Sequence, residues 1–162
     1  MERSEFNDER RLVLGVDPGL QNTGLGLISI DTFGVPSYVH HTIIQTKSSH
    51  SLENRLNRLF TELTDFIQQF KPSVMIVEEI FASINSNTII KLGMARAIPV
   101  LCASRHNCTL FNVTTRLVKK KITGKGNAEK EEVARAVCRI LKIPLISDVD
   151  ATDALACALY MM

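Results

Sequence analysis

Two short apolar runs, Leu12-Val13-Leu14-Gly15-Val16 and Val74-Met75-Ile76-Val77, each end on a carboxylate, Asp17 and Glu78. Apolar runs of this length without polar alternation are what strands covered on both faces require, so the chain has to build layers on each side of a sheet. The final helical segment adds two acids. Asp150 and Asp153 stand at i and i+3, on one face of a helix that continues Ala154-Leu155-Ala156-Cys157-Ala158-Leu159. Burying one ionised carboxylate without a partner costs several kcal/mol, so the group protonates or finds a cation. No lysine or arginine is interleaved with these acids in sequence.

If the four acids converge, divalent metal is the natural compensation. Magnesium takes hard oxygen ligands, commonly one or two carboxylates plus substrate phosphate. Two such ions roughly 3.5–4 Å apart can stabilise the attacking water and the leaving oxygen of phosphodiester cleavage. Each acid also has a structural alternative. Asp17 before Pro18-Gly19 can open a turn. Asp148 or Asp150 can cap the last helix, and Glu78-Glu79 can be a solvated strand end. Taken singly, Asp150 reads better as a cap and the other three stay open. Taken together, a metal site explains all four from one cause.

Between these landmarks the pattern alternates. Thr23–Ile30 and Ser37–Gln45 read as two further strands of a meander, separated by segments carrying Gly19, Gly34 and Pro36. Leu52, Leu56, Leu59, Leu63, Phe66 and Ile67 recur at helical spacing, and Pro72 helps to stop that helix. A second helix is expected from about Asn87, with Pro99 kinking or ending it. Thr109–Val113 reads as a fifth strand. Helical pieces follow around Arg116–Ile122 and Ala128–Leu141, divided by Thr123-Gly124-Lys125-Gly126, and a last helix runs from about Asp150 to Tyr160. Three strands followed by alternating helix and strand predict an α/β sandwich with a mixed five-stranded sheet flanked by helices. Residues 1–10 are read as a loose charged arm and residues 11–162 as a single domain.

A length of 162 residues, 45% hydrophobic and 22% charged, is that of an ordinary globular domain rather than a disordered or fibrous chain. No apolar run approaches a membrane span, and the charged opening Met1-Glu2-Arg3-Ser4-Glu5 is not a signal peptide, so a cytoplasmic protein is expected. Cys102, Cys108, Cys138 and Cys157 form no zinc-ligand spacing and read as buried reduced thiols. His40, His41, His50 and His106 are scattered and read as surface or strand-edge residues. A net charge of +2 is too small to announce nucleic acid, but Arg116, Lys119, Lys120, Lys121, Lys125 and Lys130 fall in one short stretch. A basic patch beside an acidic pocket suits a polyanion held near metal ions.

At these residues the sequence resembles the RuvC family of Holliday-junction resolvases. Leu14-Gly15-Val16-Asp17-Pro18-Gly19 with Thr23-Gly24-Leu25-Gly26 resembles the first motif of the family. Val77-Glu78-Glu79-Ile80-Phe81 with Lys91-Leu92-Gly93-Met94-Ala95-Arg96 resembles the second. Gly124-Lys125-Gly126-Asn127-Ala128-Glu129-Lys130 resembles the basic loop and the helix after it, and Asp150-Ala151-Thr152-Asp153-Ala154-Leu155-Ala156 the closing motif. The motifs come in order, at family-like spacing, from Leu12 onward.

The resemblance implies an RNase H-like nuclease that resolves four-way DNA junctions by symmetric, metal-dependent nicking of two strands. Asp17, Glu78, Asp150 and Asp153 would be catalytic and metal-binding, for Mg²⁺ or Mn²⁺, with two ions per site. Lys119 and Lys130 match lysines that neutralise phosphate; otherwise they would be a solvated basic face. Arg116 and Lys125 belong to the same basic stretch and are expected to bind DNA. Phe81 matches an aromatic that engages bases at the junction centre; without that match it would be a core anchor. A homodimer is implied, with the stretch after Asn87 as its interface, where Gly93 and Ala97 would let two backbones approach. A branch-migration helicase complex is the implied partner at the junction. Three departures stand out. Glu79 directly follows Glu78, a charged arm precedes Leu12, and the basic tail that many members carry after the last helix is not present, which would weaken DNA affinity or a partner contact. Rival readings are a nuclease of RNA–DNA hybrids or damaged DNA, an ATP-binding module of the actin and sugar-kinase type, and a DNA-binding scaffold with a decayed site.

Overall fold

The computed structural model describes residues 10–79 and 86–162, so Phe81 and nearly all of the charged arm lie outside the described residues. The strands are β1 (Arg11–Asp17), β2 (Asn22–Ile30), β3 (Pro36–Gln45), β4 (Val74–Glu78) and β5 (Thr109–Val113). They form one sheet in the order β3-β2-β1-β4-β5. The meander β1-β2-β3 is antiparallel, whereas β4 runs parallel to both β1 and β5. β1 therefore has neighbours on both edges and layers on both faces, which is why its stretch 12–16 holds no polar residue. The helices are α1 (Leu52–Phe70), α2 (Ser86–Arg105), α3 (Thr115–Thr123), α4 (Lys130–Leu141) and α5 (Val149–Leu159).

Strand periodicity sorts the sheet into two cores. Val13, Ile28 and Ile76 point to the face covered by α3, α4 and α5. Leu14, Val16, Leu25, Leu27, Met75 and Val77 point to the face covered by α1 and α2. Side chains two apart share a face, so Asp17 follows Val13 and Gly15, and Glu78 follows Ile76. Both acids thus emerge on the α5 side, at the strand ends.

α5 approaches that face closely. A Cβ on Gly15 would stand 2.0 Å from the carbonyl oxygen of Ala154, and one on Gly26 would stand 2.4 Å from the nitrogen of Leu155. Only glycine lets helix backbone meet strand backbone here, and the alanines of α5 complete the fit. The four cysteines are buried and unpaired. His40 and His41 lie on the edge strand β3, where His40 stacks on Phe70 with ring centroids 5.4 Å apart.

Of the two outcomes expected at Pro99, ending is excluded: α2 runs through it to Arg105. A proline withholds one helical hydrogen bond, but Ala95, Cys102 and Ala103 on both sides of it are buried in the core. Packing on either side of Pro99 outweighs the missing bond.

Candidate active site

Asp17 from β1, Glu78 from β4 and Asp153 from α5 line one cavity of about 280 Å³. α3 contributes Thr115, Val118 and Lys119 to its wall, and α4 contributes Lys130 and Val133. Asp150, one turn before Asp153, does not line the cavity, yet its charge acts on Asp17, Asp153 and Lys130. The capping alternative falls to Asp148, whose carboxylate accepts the Asp150 N–H at 3.2 Å. Glu78, not Glu79, faces the cavity; the Glu79 N–H ties the main chain to Val113 at 2.8 Å.

The electrostatics are those of a crowded anion site. Burial pushes the Asp17 carboxyl up to about 7, and the charges of Glu78, Asp153 and Asp150 push the same way against Lys130. Burial also raises Glu78, opposed by a hydrogen bond from Thr115. Asp153 is raised by burial and opposed by Lys130, and Lys130 is itself raised, chiefly by Asp153. Beneath the acids, burial and then the carboxylate charges drive the Cys157 thiol well above its ordinary range.

Sequence inspection found no cation interleaved with the acids; the fold supplies one. Lys130 Nζ lies 3.2 Å from Asp153 Oδ2, across 23 residues of sequence. Lys119 Nζ donates to the carbonyl of Ala128 at 2.7 Å, which holds its ammonium beside the cavity. Arg116 lies outside this cavity and lines a wider opening next to it, with Thr115, Lys119, Gly126 and Asn127. A Cβ on Gly126 would come within 2.9 Å of Arg116 Cγ, so the glycine lets the arginine stem lie across the loop. Lys125 lines neither opening and pairs with Glu132 at 3.3 Å.

Two residues were missed as site components. The Thr115 hydroxyl donates to Glu78 Oε1. Arg96, noted only within a motif, donates through Nε to the carbonyl of Glu78 at 3.1 Å and through Nη2 to Asn112 Oδ1 at 2.6 Å. Thr114-Thr115 is a helix-start signal, but only tertiary structure tells which acid the second threonine meets.

A hard divalent cation fits this donor set: carboxylate oxygens in excess over nearby ammonium groups, at a concave and partly dehydrated place. Among the described residues no three Asp, Glu, His or Cys side chains are drawn together into a ready ligand cluster. Asp153 and Glu78 instead meet Lys130 and Thr115.

Comparison with known proteins shows the family and the fold. Residues 13–161 match the family described as crossover junction endodeoxyribonuclease RuvC. The chain is 38% identical over 148 residues to the crossover junction endodeoxyribonuclease RuvC of Mannheimia succiniciproducens, covering 91% of this chain and 73% of the relative. It superposes on Thermus thermophilus RuvC with a TM-score of 0.84 and 28% identity, covering 92% of each chain. On T. thermophilus RuvC in complex with Holliday junction substrate the TM-score is 0.87, with 27% identity over 93% of this chain and 92% of that one. The architecture is the RNase H-like one of these resolvases, and the chain belongs to the RuvC family of crossover junction endodeoxyribonucleases.

Proposed function

We propose that this chain is a structure-selective endonuclease that resolves four-way DNA junctions by metal-dependent hydrolysis, nicking two strands symmetrically. The carrying observation is the convergence of Asp17, Glu78 and Asp153 with Lys119 and Lys130 in one cavity. A solved neighbour bound to Holliday junction DNA supports the choice of substrate.

Asp17, Glu78 and Asp153, with Asp150 one turn away, would hold Mg²⁺, with Mn²⁺ able to substitute and two ions per site. Such ions supply the positive charge that offsets the charge developing on the attacking and leaving oxygens. The protein's own groups do the rest. Lys119 and Lys130 place ammonium charge on the scissile phosphate, positioned in advance for the charge that develops there. Arg116 and Lys125 bind the flanking backbone, so affinity falls as salt rises. Phe81 engages bases at the junction centre.

The chain acts as a homodimer through α2. Ile90, Met94 and Leu101 are 56%, 41% and 49% exposed and share one helical face with Gly93 and Ala97. A contiguous apolar stripe of this kind on a helix suits a second copy. Two-fold symmetry would present two sites to strands of like polarity and leave ligatable duplexes. No helix among the described residues is long and apolar enough to cross a membrane, and we place the protein in the cytoplasm. A branch-migration helicase complex as partner rests on family resemblance alone.

Cleavage of a synthetic mobile four-way junction with Mg²⁺ or Mn²⁺ tests the reading. Wild type should nick symmetrically, and Asp17→Asn should bind the junction without cutting it. A wild type that binds no junction, or cuts an RNA–DNA hybrid equally well, would overturn it.

A further inference from the structure

Glu78 is fixed in two stages. Its main chain is tied from both sides. Arg96 of α2 donates to its carbonyl oxygen at 3.1 Å, and the next N–H, that of Glu79, donates to Val113 of β5 at 2.8 Å. A glutamate side chain still has three rotatable bonds beyond its main chain, so these contacts do not orient the carboxylate. Thr115, the first residue of α3, does so by donating its hydroxyl to Oε1.

The neighbouring threonine shows that this contact is not ordinary capping. Thr114 takes the N-cap position, and its hydroxyl oxygen accepts the N–H of Leu117 at 3.3 Å. The helix start is therefore served by Thr114, and Thr115 has a separate task. The comparison with Asp153 is equally informative. Asp153 is met by the Lys130 ammonium, a charge with which any incoming cation competes. Thr115 offers Glu78 a neutral donor. One hydroxyl occupies a single acceptor position of a carboxylate that has about four, so it sets direction without cancelling charge.

We infer that Thr115 is a positioning residue of the nuclease: its hydroxyl holds the Glu78 carboxylate in the orientation that receives the divalent ion. Thr115 also lines the adjoining opening with Arg116 and Lys119, so it stands where the proposed DNA groove meets the carboxylate cavity. Hydrogen-bond partners of metal ligands commonly change metal affinity 10–100-fold when removed. The inference rests on the metal-dependent reading of the site, and its test separates the two.

Thr115→Val removes the hydroxyl and keeps the shape; Thr115→Ser keeps the hydroxyl and removes the methyl. Thr115 is exposed, so neither change disturbs the core. Mn²⁺ binding to the DNA-free protein is followed by electron paramagnetic resonance, beside wild type and Asp17→Asn. Thr115→Val should weaken Mn²⁺ binding about tenfold, and Thr115→Ser should restore it. Wild-type Mn²⁺ affinity in Thr115→Val, or a serine variant no better than valine, overturns the role of the hydroxyl and leaves the metal site standing. If wild type binds no Mn²⁺, or Asp17→Asn binds it equally well, the metal reading falls and this inference falls with it.

Discussion

Two helices rich in small and apolar residues, α5 and α2, are used in opposite ways. From Ala154 to Leu159 every residue of α5 is buried, and its backbone sits directly on β1 and β2 because Gly15 and Gly26 have no side chain. α2 buries Ala95, Cys102 and Ala103 on one face and leaves Ile90, Met94 and Leu101 bare on another. A Cβ on Gly93 would meet nothing within 4 Å. Small residues alone therefore do not identify a contact: in α5 they complete an interior, and in α2 they flank an uncovered surface. The distinction reaches the site, since α5 carries Asp150 and Asp153 while α2 holds the Glu78 carbonyl through Arg96.

The largest contrast between the helices should be seen at their glycines. Gly15→Val puts a side chain into the Ala154 carbonyl and the Ala158 nitrogen, and both are backbone that cannot swing away. We expect a loss of more than about 4 kcal/mol, or no folded protein, because α5 would have to lift off the sheet. Within the single subunit, Gly93→Ala on α2 should change stability by at most about 1 kcal/mol, and upward, since alanine is the better helix former. Urea unfolding of both variants checks this. A Gly15→Val protein that unfolds at the wild-type midpoint would show that α5 is not seated on β1 in this way.

The next largest effect concerns what α5 brings to the strand ends. In the folded, metal-free protein Asp17 keeps its proton up to about pH 7, against 3.8 for the ordinary carboxyl. As pH rises between those values the unfolded chain loses its proton first, so stability falls across that window and levels off above it. A displacement of about three units sets an upper bound of about 4 kcal/mol on the effect. Glu78 and Asp153 are raised as well and add to it with the same sign. In EDTA, wild type should lose stability from about pH 4 to 7, and Asp17→Asn should lose less and be the more stable protein at neutral pH. Saturating Mg²⁺ should remove most of the difference. Equal pH profiles for the two proteins in EDTA would mean that Asp17 is not held as a buried acid.

Much of this site could be read from the sequence because its acids interrupt patterns. Asp17 and Glu78 end runs that are otherwise apolar, and Asp153 sits on a helix that is apolar beyond it. Strand parity puts Asp17 with Val13 and Glu78 with Ile76 only once the strands are known, and a lone strand does not say which face α5 will cover. Long-range pairing was hidden. Lys130 meets Asp153 across 23 residues, and Thr115 meets Glu78 across 37. A lysine or threonine in a polar stretch breaks no pattern, so nothing local marks its partner. Lys125 illustrates the reverse: it shares the basic stretch, yet the fold gives it to Glu132. Whether Pro99 would end its helix was not decided by the sequence, because propensity counts one helical bond while the buried residues around it count many contacts.

The smallest stability effect should come from the bare face of α2, and it is the one that bears on assembly. Leu101→Glu replaces an exposed leucine, so the isolated fold should keep its stability to within about 0.5 kcal/mol. If a second copy covers that face, a glutamate there loses apolar contact and sets two carboxylates against each other across the two-fold axis. Sedimentation should then give a dimer for wild type and a monomer for Leu101→Glu, with matching far-ultraviolet circular dichroism. The monomer retains all four acids, so its Mn²⁺ affinity should change little, while paired nicking of a junction should give way to single, uncoordinated nicks. A wild type that sediments as a monomer at micromolar concentration would refute the dimer and leave the α2 stripe without an occupant. A Leu101→Glu protein that stays dimeric and nicks in pairs would move the interface off this face, and α2 would then differ from α5 only in how loosely it packs.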